Sequence, residues 1–312
     1  MTSSVESSAS RRHEFPGFDG GAWVADIAGP RDAPTVLLLH GGGQTRHAWG
    51  GTALAMAQAG WRTVALDLPG HGESAWSPSG DYRIETLSFD MARFCHTLGS
   101  PLALVGASLG GMISMAMSAR SDAPPIAALA LVDIAPRVES KGVDRIVEFM
   151  RAHPEGFATL DDAARHIASY RGRPVMAHPR GLQKNLRLNQ AGRWTWHWDQ
   201  RLMNDENHNH RNDPAFFERA LEQYAGPLML VRGARSDVIS PEGAEQFQQT
   251  FPQARFVALA GAGHMVAGDA NDAFTATLIE FLREVMPPST SASPGSPEPA
   301  TTLSAANGER AP

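Results

Sequence analysis

The chain of 312 residues holds one cysteine, Cys95. It cannot form an intrachain disulfide, and a cysteine-based metal cluster is excluded. In its helix-like stretch Cys95 reads as a small core hydrophobe. No run of about 18 apolar residues occurs, so no membrane span and no membrane partner are expected. The opening MTSSVESSASRRHEF lacks an apolar signal core, and no apolar stretch follows Arg11-Arg12, so cytoplasmic residence is the expectation. Positive charge is scarce: 27 Lys+Arg face 33 Asp+Glu, a formal net charge of −6. A basic nucleic-acid footprint is therefore not expected. No G-x-G-x-x-G follows the first strand-like run, and no G-x-x-x-x-G-K-[ST] occurs, so nucleotide cofactors are not indicated. Internal repeats are absent.

The hydrophobic fraction of 42% is ordinary for a globular protein. Residues 1–12 are Ser-rich, and residues 287–312 hold six prolines, Pro287, Pro288, Pro294, Pro297, Pro299 and Pro312. Such segments bury too little apolar area to offset chain entropy and are expected to be disordered tails. Between them lie continuous apolar runs: Thr35 to Gly41, Arg62 to Leu68, Pro101 to Ser108, Ile126 to Ile134, Pro227 to Gly233 and Ala254 to Gly261. Unbroken rather than alternating runs indicate strands covered on both faces, hence a parallel sheet. Helix-like segments separate them, which predicts a doubly wound α/β core over 13–134 and 225–286. The rhythm breaks over 135–224, which reads as an insertion after one strand.

Gly106-Ala107-Ser108-Leu109-Gly110 is a G-x-S-x-G sequence. A strand-like run precedes it and a helix-like run follows, the context in which this motif places a serine on a sharp turn with its hydroxyl projecting. The helix start after Ser108 favours negative charge developing nearby.

HGGGQ (His40 to Gln44), DLPGHGES (Asp67 to Ser74) and GASLGG (Gly106 to Gly111), in this order, resemble the α/β-hydrolase superfamily. The resemblance runs from about Phe15 to Val285 and is most like the small serine esterases and their cofactor-free perhydrolase relatives. It implies an α/β-hydrolase fold with a helical cap, residues 135–224, inserted after the sixth strand. The family order of serine, acid, histidine implies His264, after the last strand-like run, as general base. It implies Asp237, after the preceding run, as the acid that orients it. Asp133 competes for that role, because some relatives draw the acid from its strand; otherwise it supports the strand end or faces the site mouth. The backbone N–H groups of Leu109 and Gly42 are the implied oxyanion donors.

Gly43, Asp133 and Met265 are further candidates for the substrate pocket, as are Trp194, Trp196 and Trp198 of WTWHWD. At period two the three indoles share one face of an extended segment, either as a wall of the pocket or as packing of the cap onto the core. Neither His71 with Glu73 nor His208-Asn209-His210 completes a metal-ligand set, so no metal is expected. The expected function is cofactor-free hydrolysis of small to medium carboxylic esters through an acyl-enzyme. Lactones, amides, C–C bonds and peracids are alternatives for the same triad. A non-catalytic small-molecule receptor is an alternative of another class. Serine at position 108 disfavours the epoxide hydrolase and dehalogenase branches, which use aspartate. Oligomeric state is left open.

Overall fold

The structure is a computed structural model. It describes residues 10–288 apart from 18–19, 100, 173, 176–178 and 267–270. The expected tails at 1–9 and 289–312 lie outside the described residues. The core begins earlier than expected: Arg11 and Arg12 belong to a strand, β1 (Arg11–Pro16), rather than to a tail.

β1 pairs antiparallel with β2 (Ala22–Ala28), and β2 pairs antiparallel with β4 (Arg62–Leu66). The other neighbours are parallel: β3 (Thr35–Leu39), β4, β5 (Leu102–Ala107), β6 (Ile126–Val132), β9 (Leu228–Gly233) and β10 (Arg255–Leu259). The sheet order is β1-β2-β4-β3-β5-β6-β9-β10. Every residue of β3 is buried. Its Leu37 and Leu39 enter one core layer with Leu87, Met91 and Ile113; Val36 and Leu38 enter the other with Trp49, Met56 and Phe274. A strand covered on both faces must be apolar at every position, which is why the central strands show in the sequence as unbroken runs.

Helices α2 (Ile84–His96) and α3 (Leu109–Ser118) supply the first layer, and α1 (Gly50–Gln58) with Asn271–Val285 the second. Cys95 is buried in the first layer, and burial pushes its thiol up to about 12, so it stays an inert apolar filler. From β3 the chain turns one way to β4 and then crosses to β5 on the other side. The crevice at the carboxyl ends of β3 and β5 is therefore the topological switch point, where open α/β sheets bind ligands.

The insertion leaves after β6. It contains α4 (Ser140–Arg151), α5 (Leu160–Arg171), and a small hairpin of β7 (Leu186–Leu188) with β8 (Trp194–Trp196). The start of α5 is fixed by a capping box between Thr159 and Asp162. α6 (Pro214–Gln223), expected in the cap, instead packs beside α3 and buries Phe217 and Leu221 in the core. Among the described residues, no helix is long and apolar enough to cross a membrane.

Arg46 ties the loop after β3 to its surroundings. It is almost fully buried and binds Asp26 (2.9 Å), Asp67 (2.5 Å) and Glu73. Removing one partner of a buried ion pair leaves an uncompensated charge, a loss of about 3–5 kcal/mol. Arg46→Met is expected to lower the urea-unfolding free energy by about that amount. A change under about 1 kcal/mol would show that Asp67 needs no counter-ion.

Candidate active site

Ser108 sits at φ 46°, ψ −114°, a backbone region that non-glycine residues rarely occupy. The surrounding glycines explain how the turn is tolerated. A Cβ on Gly106 would lie 2.5 Å from the Gly110 carbonyl oxygen, and one on Gly110 would overlap the Leu39 carbonyl. The turn is pinned to both neighbouring strands: Ser108 N–H donates to Val132 O (3.3 Å) and Gly110 N–H to His40 O (3.1 Å). The Ser108 hydroxyl thus projects into the switch-point crevice.

Beside it, the loop after β3 is braced by three buried histidines in sequence. His40 Nδ1–H donates to Gly41 O (2.8 Å), and its Nε2 accepts from Leu68 N–H (3.0 Å). His71 Nε2 accepts from Gly43 N–H (3.2 Å), and its Nδ1–H donates to Pro69 O (3.2 Å). His197, from the cap, accepts from Gly72 N–H at Nδ1 (2.8 Å) and donates from Nε2 to Gly43 O (3.3 Å). Each ring holds one donor and one acceptor position, which fixes it in a neutral tautomer. Burial lowers the pKa of all three, that of His197 to about 3 and that of His71 well below the usual histidine value. With Gly41 and Gly43 so held, the N–H groups of Gly42 and Leu109 have no protein acceptor among the described residues. Both residues line one cavity with Ser108.

The acid is where the sequence reading differs from the structure. His264 Nδ1–H donates to Asp133 Oδ2 at 2.7 Å. Asp133 ends β6 in a positive-φ conformation (50°) and is fully buried. Its carboxylate also accepts from Gly233 N–H (2.8 Å) and Ser236 Oγ–H (2.5 Å). Asp237, the expected acid, is 40% exposed and pairs with Arg145 at 2.8 Å. The reason is positional. Ser236, one residue earlier in the same loop, turns back beneath the sheet end to Asp133, and Asp237 then points outward toward α4. No hydrogen bond joins Ser108 to the His264 ring among the described residues.

The cavity measures about 250 Å³. His71, Met112 and Ile134 line it from the core, and Val143, Ile146 and Met150 from the cap. The tryptophans do not form its wall. Trp196 stacks on Trp198 at 4.5 Å, packs against Phe149 and Phe157, and donates its Nε1–H to Ala152 O (3.1 Å). Trp194 belongs to the hairpin edge, bridged to Phe157. This cluster is the cap's own core, and Trp198 backs Gly43 from behind. Gly43 serves the histidine brace rather than the cavity surface. Met265 also stays off the wall; its Sδ lies 2.9 Å from Gln44 Nε2, between two site loops. Sequence reading missed His197, Ser236 and the bracing of Gly43 by His71, because each acts on residues distant along the chain. Among the described residues, no group of His, Cys, Asp and Glu could hold a metal ion.

Residues 34–270 match the model of the α/β-hydrolase fold family. The chain is 30% identical over 267 residues to esterase Rv0045c of Mycobacterium tuberculosis, covering 81% of this chain and 83% of that protein. It is 29% identical to the mouse (Mus musculus) sn-1-specific diacylglycerol lipase ABHD11, covering 82% and 83%. The crystal structure of E-2-(acetamidomethylene)succinate hydrolase superposes with a TM-score of 0.77 at 20% identity, covering 88% of this chain and 99% of that one, a likeness of fold.

The neutral histidines make the site acid-sensitive. Above about pH 6.5 folded and unfolded chains both hold them neutral. As pH falls below that value, the unfolded chain takes up protons that the folded chain refuses until its own lowered pKa, about 3 for His197. Stability is therefore lost on acidification, by up to about 1.4 kcal/mol per pH unit for each histidine. His197→Gln can keep both hydrogen bonds and is expected to reduce the slope of unfolding free energy against pH, between 6 and 4, by about that amount. An unchanged slope would mean that His197 does not titrate on unfolding.

Proposed function

The chain belongs to the α/β-hydrolase fold family, and we propose that it hydrolyses carboxylic esters of small to medium size through an acyl-enzyme on Ser108. The observation that carries this reading is the Asp133–His264 hydrogen bond beside a strained serine turn. Asp133 fixes the imidazole with its proton on Nδ1 and leaves Nε2 as the base. The reaction requires Nε2 to reach the Ser108 hydroxyl; such contacts are often long in an unliganded site.

Ser108 Oγ attacks the ester carbonyl as its proton passes to His264. The oxyanion is received by the Gly42 and Leu109 N–H groups, which have no protein acceptor among the described residues. Each such donor is worth about 3–4 kcal/mol to the transition state. The imidazolium then protonates the departing alcohol, and Asp133 stabilises the imidazolium charge. Water activated by the same ring releases the acid. The cavity of about 250 Å³ is small for a ligand site and suits a short acyl or alcohol group. Similarity to esterase Rv0045c over most of both chains supports ester chemistry.

On p-nitrophenyl butanoate, Ser108→Ala is expected to reduce turnover to background. Asp133→Asn, which leaves the imidazole in the wrong tautomer, is expected to lower kcat by about 10⁴. Asp237→Asn is expected to stay within about twofold of wild type, because its partner is an exposed arginine. Full activity in Ser108→Ala would contradict the proposal, and the reverse pattern of the two aspartates would contradict the choice of acid.

A further inference from the structure

Among the described residues, Arg211 is a cation without a carboxylate partner in the wall of the cavity that holds Ser108. It lies in the 3-10 segment Asp205–Asn212 and lines the same cavity as Ser108 and Leu109. Its Nη2–H donates to the Tyr82 carbonyl at 3.1 Å. Its Nε–H is buried and has no partner among the described residues. No carboxylate pairs with it among those residues. Of the two acids that reach the cavity, Asp205 is exposed and bound by Arg151 at 3.0 Å, and Asp144 is exposed on α4 and makes no ion pair with Arg211 among the described residues.

Burial pushes the Arg211 guanidinium down to about 10, so it stays fully charged at neutral pH. His71, which holds the glycine loop, lines the same cavity, and the Arg211 charge adds to the lowering of its pKa. Burying an arginine without an anion is costly, and a methionine of similar volume would fill the space at no such cost. A guanidinium offers a planar fork of donors that matches a carboxylate. Here one arm is fixed on Tyr82, and the other donors have no acceptor among the described residues.

We infer that Arg211 is a specificity residue for a carboxylate carried by the substrate, so that the preferred ester has a second, anionic end. This rests on the ester-hydrolase reading above. The ester carbonyl then meets Ser108 and the carboxylate meets Arg211, both in the lining of one cavity.

Two p-nitrophenyl esters of equal acyl length separate the possibilities: the neutral pentanoate and the anionic monoglutarate, each corrected for spontaneous hydrolysis. Wild type, Arg211→Lys and Arg211→Met are compared by the ratio of kcat/KM for the anionic ester to that for the neutral one. The ratio is expected to fall by at least about tenfold in Arg211→Met, and by less in Arg211→Lys, which keeps the charge but loses the fork. Any smaller fall in Arg211→Met overturns the inference. Should that variant not fold, wild type decides. Glutarate must then inhibit pentanoate turnover at least about tenfold more strongly than the uncharged glutaramide, and a lesser preference overturns the proposal. Failure of wild type to turn over either ester, or undiminished turnover in Ser108→Ala, strikes the ester-hydrolase reading instead. In that case calorimetric binding of glutarate to wild type, against glutaramide, still reads the anion site by the same criterion.

Discussion

The Asp133 carboxylate is a charge with no exposure to water at the carboxyl end of β6, and the local structure is arranged around keeping it there. An ionised carboxylate in such a place is tolerable only when its lone pairs are occupied. Three donors occupy them: the Gly233 amide from the end of β9, the Ser236 hydroxyl from the next loop, and the His264 ring from the loop after β10. One side chain thus gathers three consecutive connections of the sheet. The Ser236 hydroxyl in turn accepts from the amides of Val238 (3.1 Å) and Ile239 (3.2 Å), which extends the order into the start of α7 (Pro241–Thr250). Register does the rest. Ala107 pairs with Val132, so Ser108 and Asp133 leave adjacent parallel strands at the same level.

A second, independent constraint acts on the opposite wall. The glycine loop after β3 can reach conformations closed to other residues, but freedom alone would leave its amides unaimed. Neutral imidazoles aim them, since each supplies a donor at one nitrogen and an acceptor at the other. The third of these rings, His197, comes from the cap and is flanked in sequence by Trp196 and Trp198, which stack on each other. The seating of the cap therefore fixes the Gly43 carbonyl and the turn at Gly72 together. Preorganised backbone dipoles of this kind lower a barrier because they need no rearrangement when charge develops.

The sequence made the central sheet legible because strands covered on both faces cannot alternate, and the elbow legible because Ser108 is flanked by glycines that only close backbone approach requires. The edge strands β1 and β2 were not seen; β1 is largely exposed and polar, so no burial pattern marks it. For the proposed site, the sequence expectation and the structure differ in which aspartate holds His264: Asp133 rather than Asp237. Asp133 and Asp237 both follow apolar strands, and nothing local shows which one turns inward. That is decided by the positive φ at Asp133 and by Ser236, which takes the inward position one residue before Asp237. Likewise WTWHWD showed three aromatics on one face, but whether that face meets a ligand or Phe149 and Phe157 depends on the fold of the cap. Pairings such as Gly72 with His197 span too much chain for any spacing rule to find.

The His264 ring takes its orientation from Asp133. A proton held between an imidazole nitrogen and a buried carboxylate gives a distinct downfield resonance in proton NMR, assigned here by its loss in His264→Gln. This resonance is expected to persist in Asp237→Asn and to disappear in Asp133→Asn, with both variants folded by their amide spectra. Persistence in Asp133→Asn with loss in Asp237→Asn would contradict it.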